Sequence, residues 1–460
     1  MAVLAGGAGA RCYTYSEPAV GRGTAAGLAA LLGRRAWRRR PGAVALDPWQ
    51  EEPEALSETV QRYVIIGNGI AGTTAAETLR RGDPHGSIVL ITDEPYTLYN
   101  RVALPPFLKL QVPESKVFLK NREFHEKNRI ELYLETRVTH VDTRERVVYT
   151  REGKAFPYDK LLVATGGRPN RLQVPGAEHA QHVYNFQYLD DAKRISARIA
   201  ESKVGVVTGG SYIAYELAEA FRSRGLETYW LIRGPRFLRY ILEEDGGKLV
   251  DLIAREHGVH MLYGTTIEEI YPKNGACTVR TNTGQHIDAD LVGVGLGLKM
   301  NYDFLAETPI KTNTGILTNE YLETDVPGVY AAGDIAEFFD PFANTAYTMG
   351  TWASATRHGK LAATNMLGGR EPYHDVPYYT SGLFDSRLSA VGLTPDVLPG
   401  LEAIHTVDWE RRTYRRLFFR DGRLVGVMLI GDLKPKAAYT DIIRSRKQFA
   451  ESERAALLTV

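Results

Sequence analysis

The spacing of apolar residues predicts that the chain beyond about residue 60 is built from repeated strand–turn–helix units. An apolar run at residues 63–66 ends at a glycine, as a buried strand does. Small residues then predict a helix over residues 73–80, and a second apolar run at 87–92 predicts the next strand. This order of elements is typical of a parallel α/β sheet.

The turn of this first unit carries the spacing G-x-G-x-x-G at Gly67, Gly69 and Gly72. Such a turn directs N–H groups at the start of a helix toward phosphate, and so predicts a dinucleotide site. Asp93 and Glu94 follow the second strand, about 20 residues after the last glycine, where an acid binds ribose hydroxyls. A packing turn alone can produce such glycines, but strand, glycines, helix, strand and acid in this order are much more specific.

A second copy of the unit follows in the middle of the chain. Its turn begins with Gly209 and Gly210, but Ser211 replaces the second fingerprint glycine and Ala214 the third. Alanine is commonly accepted there, whereas serine adds a side chain where the backbone must approach phosphate. Arg233 stands at the strand end where an NAD site has an acid, which favours NADPH over NADH and leaves both open. Two such units predict two dinucleotides and electron transfer between them.

Three further strand ends carry candidate ligand-binding residues. One apolar run leads into Thr165 and Gly166, where small residues permit close approach of a ligand, although a plain turn is the alternative. A second apolar run leads to Gly297, and a third apolar run leads to Gly333 and Asp334. Asp334 opens a predicted helix, so its carboxylate serves either ligand hydroxyls or the helix as an N-cap.

The remaining segments connect or follow these units. Residues 95–106 are too rich in proline for a helix, and they hold Arg101, which reaches either a pyrophosphate or solvent. Alternating runs at 130–156 predict a β-meander, and an Asp-Gly pair at 421–422 predicts a hairpin. Residues 441–454 predict a closing helix. The C-terminal part shows no cluster of chemistry-bearing residues and is interpreted as an interface domain.

The composition excludes several classes of function. Of 460 residues, 44% are hydrophobic and 24% charged, and the net charge of +1 argues against nucleic acid or an anionic membrane as main partner. Cys12 and Cys277 form neither a C-x-x-C pair nor a thiolate cluster, so we expect no metal site and an intracellular protein. No apolar run reaches the roughly 18 residues of a membrane helix.

Residues 1–60 differ from the rest in being rich in alanine, glycine and arginine without lasting periodicity. We expect a disordered N-terminal extension or an upstream start codon. A transit peptide and a nucleic-acid arm are the alternatives.

Taken in order, the motifs resemble the two-dinucleotide flavoproteins of the glutathione-reductase-like superfamily, the pyridine nucleotide-disulfide oxidoreductases. The motifs are the first fingerprint, Ala-Thr-Gly-Gly at 164–167, the second fingerprint and Ala-Ala-Gly-Asp at 331–334. Tyr-Asn-Arg-Val at 99–102 and the sequence from 414 to 432 look like the FAD-containing N-terminal part of NAD(P)H nitrite reductase large subunits. Rubredoxin and ferredoxin reductases are close relatives of that group.

The resemblance implies an α/β fold with two Rossmann-like FAD/NAD(P)-binding domains of three layers (β/β/α), plus a C-terminal α+β interface domain. The implied FAD-binding domain is discontinuous and spans residues 61–172 and 296–370. The implied NAD(P)H-binding domain spans residues 173–295, and the interface domain spans 371–460.

The resemblance also implies roles for individual residues. Arg101 would lie at the pyrophosphate of FAD, Asp93 or Glu94 at its ribose, and Asp334 at its ribityl chain. Tyr212 and Glu216 would be the catalytic pair, the first shielding the flavin and the second near the nicotinamide. Helix packing is the alternative for Tyr212, and a first-turn glutamate favoured by the helix dipole is the alternative for Glu216. The implied cofactor contacts are Gly67, Gly69, Ile70, Ala71, Gly72, Asp93, Glu94, Arg101, Val138, Ala164, Thr165, Gly166, Gly209, Gly210, Ser211, Tyr212, Ile213, Glu216, Arg233, Gly297, Gly333 and Asp334.

The implied function is an FAD-dependent NAD(P)H oxidoreductase that passes hydride from nicotinamide to flavin, and electrons onward to a rubredoxin, a ferredoxin or a separate redox subunit. No redox-active disulfide is expected, because the helix after the first fingerprint holds no thiol. A peroxide-producing NAD(P)H oxidase and a non-catalytic flavin-bearing sensor or assembly subunit are the alternatives. We expect a cytoplasmic monomer or homodimer that does not reduce nitrite alone, since the chain lacks cysteine clusters for iron–sulfur and sirohaem.

Overall fold

The computed structural model describes residues 60–178, 181–273, 275–341 and 343–460. The expected N-terminal extension lies outside the described residues, apart from its last position. The expected domain boundaries remain predictions.

Strands and helices alternate through the first half of the described chain. In order they are β1 (Arg62–Ile66), α1 (Ile70–Gly82), β2 (Ser87–Ile91), α2 (Leu104–Leu108), α3 (Arg122–Lys127), β3 (Ile130–Tyr133), β4 (Val138–Asp142), β5 (Val147–Thr150), β6 (Ala155–Pro157), β7 (Lys160–Val163), β8 (Gly167–Pro169), β9 (Val183–Asn185), α4 (Leu189–Ala200), β10 (Val204–Thr208), α5 (Tyr212–Ser223), β11 (Glu227–Ile232), α6 (Glu244–Glu256) and β12 (Val259–Tyr263).

Strands dominate the second half. In order the elements are β13 (Ile267–Lys273), β14 (Ala276–Thr281), β15 (His286–Ala289), β16 (Leu291–Val294), β17 (Leu298–Met300), β18 (Ile316–Thr318), β19 (Val329–Ala331), β20 (Ala336–Asp340), β21 (Thr345–Thr348), α7 (Trp352–Met366), β22 (Tyr378–Leu383), β23 (Ser386–Gly392), β24 (Glu402–Asp408), β25 (Thr413–Arg420), β26 (Arg423–Ile430), α8 (Lys436–Ser445) and α9 (Glu451–Arg454).

The first unit is built on a parallel sheet with the strand order β19-β7-β1-β2-β3. On β1, Tyr63 and Ile65 pack toward α1 and α7, whereas Val64 and Ile66 pack toward the antiparallel sheet β4-β5-β6. Because both faces are covered, the strand reads as a continuous apolar run. This is the expected three-layer arrangement, and β19 completes the sheet from far along the chain.

The second unit repeats this plan with the parallel order β12-β11-β10-β16-β9. The antiparallel sheet β13-β14-β15 covers one face, where Cys277 and Ile287 pack against Val206. Helices cover the other face, where Leu217 of α5 and Leu249 of α6 are fully buried. The repeated plan confirms the α/β fold class with two parallel-sheet units.

The C-terminal part is an antiparallel sheet with the order β22-β23-β26-β25-β24. Tyr414 and Phe418 of β25 join the same core as α5 and α6, whereas Phe419 packs with Tyr439 of α8. Asp421, with a φ of 50°, leads the β25–β26 turn, in agreement with the predicted hairpin. This sheet is therefore packed directly onto the second unit.

The prediction that residues 95–106 exclude a helix is wrong. Helix α2 begins at Leu104 and carries Pro105 and Pro106 in its first turn. Proline is tolerated there because the N–H groups of the first turn have no partner within the helix.

The helix predicted after Asp334 is also absent. Gly333–Ile335 form a single 3₁₀ turn that leads directly into β20, which pairs with β18 and β21. The aromatic residues of this segment favour a strand, and Phe338 fills the core between α7 and the sheet. Asp334 therefore does not precede an α-helix that it could cap, which argues against the N-cap alternative.

Two further expectations need correction. Residues 130–133 do not belong to the meander, because β3 pairs in parallel with β2 at the edge of the first sheet. The closing helix starts earlier than expected and is broken after Ser445 by Arg446, whose φ is 56°. The chain then turns back so that the N–H of Phe449 donates to the carbonyl of Gly422.

Candidate dinucleotide-binding cleft

A cleft of about 2470 Å³ lies at the carboxyl ends of the first sheet and reaches helix α5 of the second unit. A pocket for one small ligand is about 300–1,000 Å³, so this volume suits two extended ligands. The expected site residues that line it are Gly67, Gly69, Ile70, Ala71, Asp93, Glu94, Arg101, Val138, Ala164, Thr165, Gly166, Ile213, Glu216, Gly333 and Asp334. Those that do not line it are Gly72, Gly209, Gly210, Ser211, Tyr212, Arg233 and Gly297.

The first glycine turn leaves its backbone accessible from the cleft. Gly67 has a φ of +115°, and a Cβ there would overlap the carbonyl of Ala164. A Cβ on Gly69 would meet nothing within 4 Å, and no side chain caps α1. The first N–H groups of this helix are therefore available to an anionic ligand. These residues fit the pyrophosphate of a dinucleotide.

The second glycine turn has the same backbone form but a different side chain. Gly209 has a φ of +131°, and a Cβ there would overlap the carbonyl of Gly295. The Ser211 hydroxyl donates to that same carbonyl at 2.9 Å and accepts from the N–H of Ala214 at 3.4 Å. Ser211 is thus the N-cap of α5, and its hydroxyl is bonded within the protein.

Arg101 is held in a network at the edge of the cleft. Its guanidinium donates to Glu94 at 2.6 Å and to the carbonyl of Gln187 at 2.8 Å. The Tyr99 hydroxyl donates to the other oxygen of Glu94 at 2.6 Å. Asp93 is exposed at the end of β2 and lines the cleft. Of the two acids expected at a ribose, the geometry therefore favours Asp93.

Thr165 and Asp334 line the same cleft. The Thr165 hydroxyl donates to the carbonyl of Asn301 at 2.8 Å, and the Asn301 amide donates back to the carbonyl of Thr165 at 3.2 Å. This reciprocal pair fixes the turn at the strand end. Burial raises the pKa of Asp334 to about 6, against the opposing charge of Arg101. A desolvated carboxylate of this kind is a strong acceptor for ligand hydroxyls.

The α5 end of the cleft is lined by Glu216. Its carboxylate accepts from the Tyr379 hydroxyl at 2.9 Å. Burial raises the pKa of Glu216 to about 7; the bond from Tyr379 and the charge of Lys109 act in the opposite direction, and Glu219 adds to the rise. Lys109 itself pairs with Glu219 at 2.8 Å. This end of the cleft therefore holds a carboxyl that changes charge near neutral pH.

Tyr212 lies beside this network without lining the cleft. Its ring centroid is 4.2 Å from that of Tyr379 and 6.2 Å from that of Phe237. Its hydroxyl is buried without a hydrogen-bond partner. The geometry favours the packing alternative for Tyr212, and its shielding role stays a prediction.

Several residues of the cleft could not be found from sequence motifs. Residues 378–382 of β22, Lys109 just after α2 and Tyr188 before α4 all line it. The C-terminal sequence shows no cluster of chemistry-bearing residues, yet it supplies Tyr379 to the site. No local pattern around Tyr379 signals this, because only the packing of the C-terminal sheet on α5 brings it there.

Cys277 lies on β14 and does not line the cleft. Burial raises the pKa of its thiol to about 11, so it stays protonated at neutral pH. Cys12 lies outside the described residues. No helix in the described ranges is long and apolar enough to cross a membrane.

Within the described ranges, Glu243, Asp245 and His405 form a group of three side chains that could hold a metal ion. Both oxygens of Glu243 already accept backbone N–H groups of α6, from Asp245 and Gly246, at 2.8 Å each. Glu243 therefore serves as the N-cap of α6, and the His405 imidazole lies beside it.

Two parallel-sheet nucleotide units that share one cleft define the class of two-dinucleotide oxidoreductases. The chain belongs to the pyridine nucleotide-disulphide oxidoreductase family, which it matches over residues 61–359. Residues 384–447 match the rubredoxin NAD+ reductase C-terminal domain. The resemblance inferred from the ordered motifs is thus confirmed.

Individual relatives agree with this membership. The chain is 27% identical over 405 residues to the nitrite reductase (NAD(P)H) of Bacillus subtilis, covering 86% of this chain and 49% of that protein. It is 31% identical over 333 residues to the rhodocoxin reductase of Rhodococcus erythropolis, covering 72% and 78%. A ferredoxin reductase structure from Rhodopseudomonas palustris superposes with a TM-score of 0.80 at 26% identity, covering 86% of this chain and 97% of that chain. The chain spans about half the length of the nitrite reductase.

Proposed function

We propose that the protein is an FAD-dependent NAD(P)H oxidoreductase that delivers electrons to a small electron-transfer protein or a separate redox subunit. The observation that carries the proposal is one cleft lined both by the first glycine turn and by helix α5 of the second unit. Relatives named rubredoxin–NAD(+) reductase and ferredoxin–NAD(+) reductase component support it. The buried position of Cys277 supports a route without a redox-active disulfide.

When bound, FAD would supply the acceptor for hydride and the donor of electrons to the next protein. The chain's own contribution is to hold the two nucleotides in alignment, since hydride transfer depends on orientation more than on acid–base groups. The open N–H groups of α1 bind phosphate, and Arg101 supplies a positive charge to the same cleft. Asp93 accepts ribose hydroxyls, and Asp334 accepts from a polyol chain. Glu216 lines the end of the cleft where the second nucleotide enters.

The test is an anaerobic titration of the purified, flavin-loaded protein with NADH and with NADPH. Bleaching of the flavin absorbance is expected, followed by recovery when an oxidised rubredoxin or ferredoxin is added. Colour that persists with both nucleotides overturns the enzyme function and favours a sensor or assembly subunit. Rapid recovery in air without any carrier protein favours a peroxide-producing oxidase.

The preferred nucleotide is proposed to be NADPH. Arg233 is exposed directly after β11, at the position where an acid would bind the ribose of NADH. We propose a cytoplasmic location, because two cysteines in 460 residues give no disulfide framework.

A further inference from the structure

The α5 end of the cleft is lined by a strand of the C-terminal domain. Residues 378–382 of β22 line the cleft together with Glu216. Tyr379 points its hydroxyl at the Glu216 carboxylate, and its ring packs on that of Tyr212. Two different domains thus meet at one carboxyl group inside the cleft.

We propose that Tyr379 is a positioning residue that orients the Glu216 carboxyl at the second nucleotide's end of the cleft. Through this bond the C-terminal domain acts on binding of the second nucleotide. The inference rests on the proposed function, because it takes the ligand beside Glu216 to be a nicotinamide nucleotide.

The groups around Glu216 explain why Tyr379 orients its carboxyl. The charged or titratable groups that face it are Lys109 at the C-terminal end of α2, Glu219 from its own helix and Tyr379 from β22. Lys109 is engaged with Glu219, which also accepts from the N–H of Phe384 at 3.0 Å. Among the described residues, Tyr379 is therefore the direct hydrogen-bond donor to Glu216. A buried carboxyl without this donor would lose both its orientation and part of the support for its charged form.

The effect of Tyr379 on the ionisation of Glu216 is expected in the neutral pH range. Burial raises the pKa of Glu216 to about 7, and the Tyr379 bond acts against that rise. Removing the hydroxyl should therefore move the pKa further upward. The physical reason is that a hydrogen bond donated to a carboxylate favours its ionised form.

The experiment compares Tyr379→Phe with wild type by infrared pH titration of the flavin-loaded protein. The protonated-carboxyl band of Glu216 is assigned by its loss in Glu216→Gln. Its midpoint is expected near pH 7 in wild type. In Tyr379→Phe the midpoint should rise by about one pH unit, a roughly tenfold change in the proton dissociation constant.

Tyr414→Phe is the matched control. Tyr414 is a fully buried tyrosine on the same sheet and in the same core, its hydroxyl lies beside Glu243 rather than Glu216, and it does not line the cleft. This variant should leave the Glu216 midpoint unchanged. A thermal unfolding scan of both variants shows that each is folded when titrated.

The second readout is the dissociation constant of NADP⁺ measured by calorimetry across the same pH range. Its midpoint should move upward with that of Glu216 in Tyr379→Phe and disappear in Glu216→Gln. Unchanged midpoints in Tyr379→Phe, or equal shifts in Tyr414→Phe, overturn the inference. Failure of NADH and NADPH to bleach the flavin overturns the proposed function instead, and the infrared titration still decides whether Tyr379 controls Glu216.

Discussion

Gly67 in the first turn and Gly209 in the second adopt φ values of +115° and +131°, and each packs without a Cβ against a carbonyl of a neighbouring strand end. The turns differ two residues later. At Gly69 there is open space and helix α1 has no side-chain cap, whereas Ser211 caps α5 with its own hydroxyl. The two turns therefore share the same backbone conformation. They differ in the helix that follows, because the first N–H groups of α1 have no side-chain partner, whereas one N–H group of α5 is bonded to Ser211.

This difference has a physical consequence for the two nucleotides. An uncapped helix N-terminus offers several N–H groups and a positive dipole end to phosphate. A helix capped by serine has one of those groups already bonded. We therefore expect the first turn to retain its ligand tightly and the second to bind one that exchanges, as a resident flavin and a consumed nucleotide require.

The largest effect is expected from Gly67→Ala. A Cβ at this position overlaps the Ala164 carbonyl, and the φ of +115° is strained for alanine. The variant should lose ~2–4 kcal/mol of stability and most of its flavin. Urea unfolding and the flavin-to-protein absorbance ratio measure both effects.

Gly153→Ala is the control that separates backbone strain at a positive φ from overlap of the new Cβ with a neighbouring atom. Gly153 also has a positive φ, of +78°, but a Cβ there would meet nothing within 4 Å. Only the backbone cost of about 1–2 kcal/mol is expected, with normal flavin content. If Gly67→Ala is no worse than Gly153→Ala, close approach at the first turn is not what retains the flavin.

The next largest effect is expected from Arg233→Ala in the second unit. Loss of a charge-assisted bond to a 2′-phosphate costs about 1.5–3 kcal/mol, so NADPH should bind roughly 10- to 100-fold more weakly. NADH affinity should stay the same. Stopped-flow bleaching with each nucleotide measures this, and Arg411→Ala, at an 83%-exposed arginine before β25, is the control. Equal losses for both nucleotides would contradict the proposed preference.

Gly69→Ser tests the open face of the first turn directly. A Cβ at this position would meet no atom within 4 Å, and serine is an accepted N-cap, so thermal stability should change by no more than a few tenths of a kcal/mol. It occupies space that phosphate needs, so FAD affinity of the apoprotein should fall about tenfold, or ~1.4 kcal/mol. Fluorescence titration of the apoprotein with FAD measures the change. Unaltered FAD affinity would mean that this face does not contact the cofactor.

The smallest effect is expected from the reverse exchange, Ser211→Gly. Glycine is an acceptable N-cap, so the stability cost should be a few tenths of a kcal/mol. NADP⁺ affinity should change by less than about threefold, because the Ser211 hydroxyl is bonded to the Gly295 carbonyl within the protein. Calorimetry checks this. Tenfold tighter binding would show that Ser211 obstructs the second site, and the two turns would then be equivalent apart from that residue.

The two parallel units can be predicted from the sequence, because buried strands, glycine turns and small-residue helices are local patterns with fixed periods. The sequence also placed Gly67, Gly69, Thr165 and Asp334 at strand ends, which meet at one edge of a parallel sheet. The helix at Leu104 and the strand after Asp334 were missed because proline position and strand pairing depend on context beyond the local pattern.

The tertiary structure alone decided which side chains complete the cleft. Tyr379 lies 163 positions from Glu216 in the chain, and only the packing of the C-terminal sheet on α5 joins them. The same packing placed the Tyr212 ring against that of Tyr379, and Arg101 paired with Glu94 rather than with Asp93. Such choices depend on which neighbours compete for the same hydrogen bonds and the same buried space. This competition cannot be predicted from the local sequence, because the competing residues are far apart in the chain.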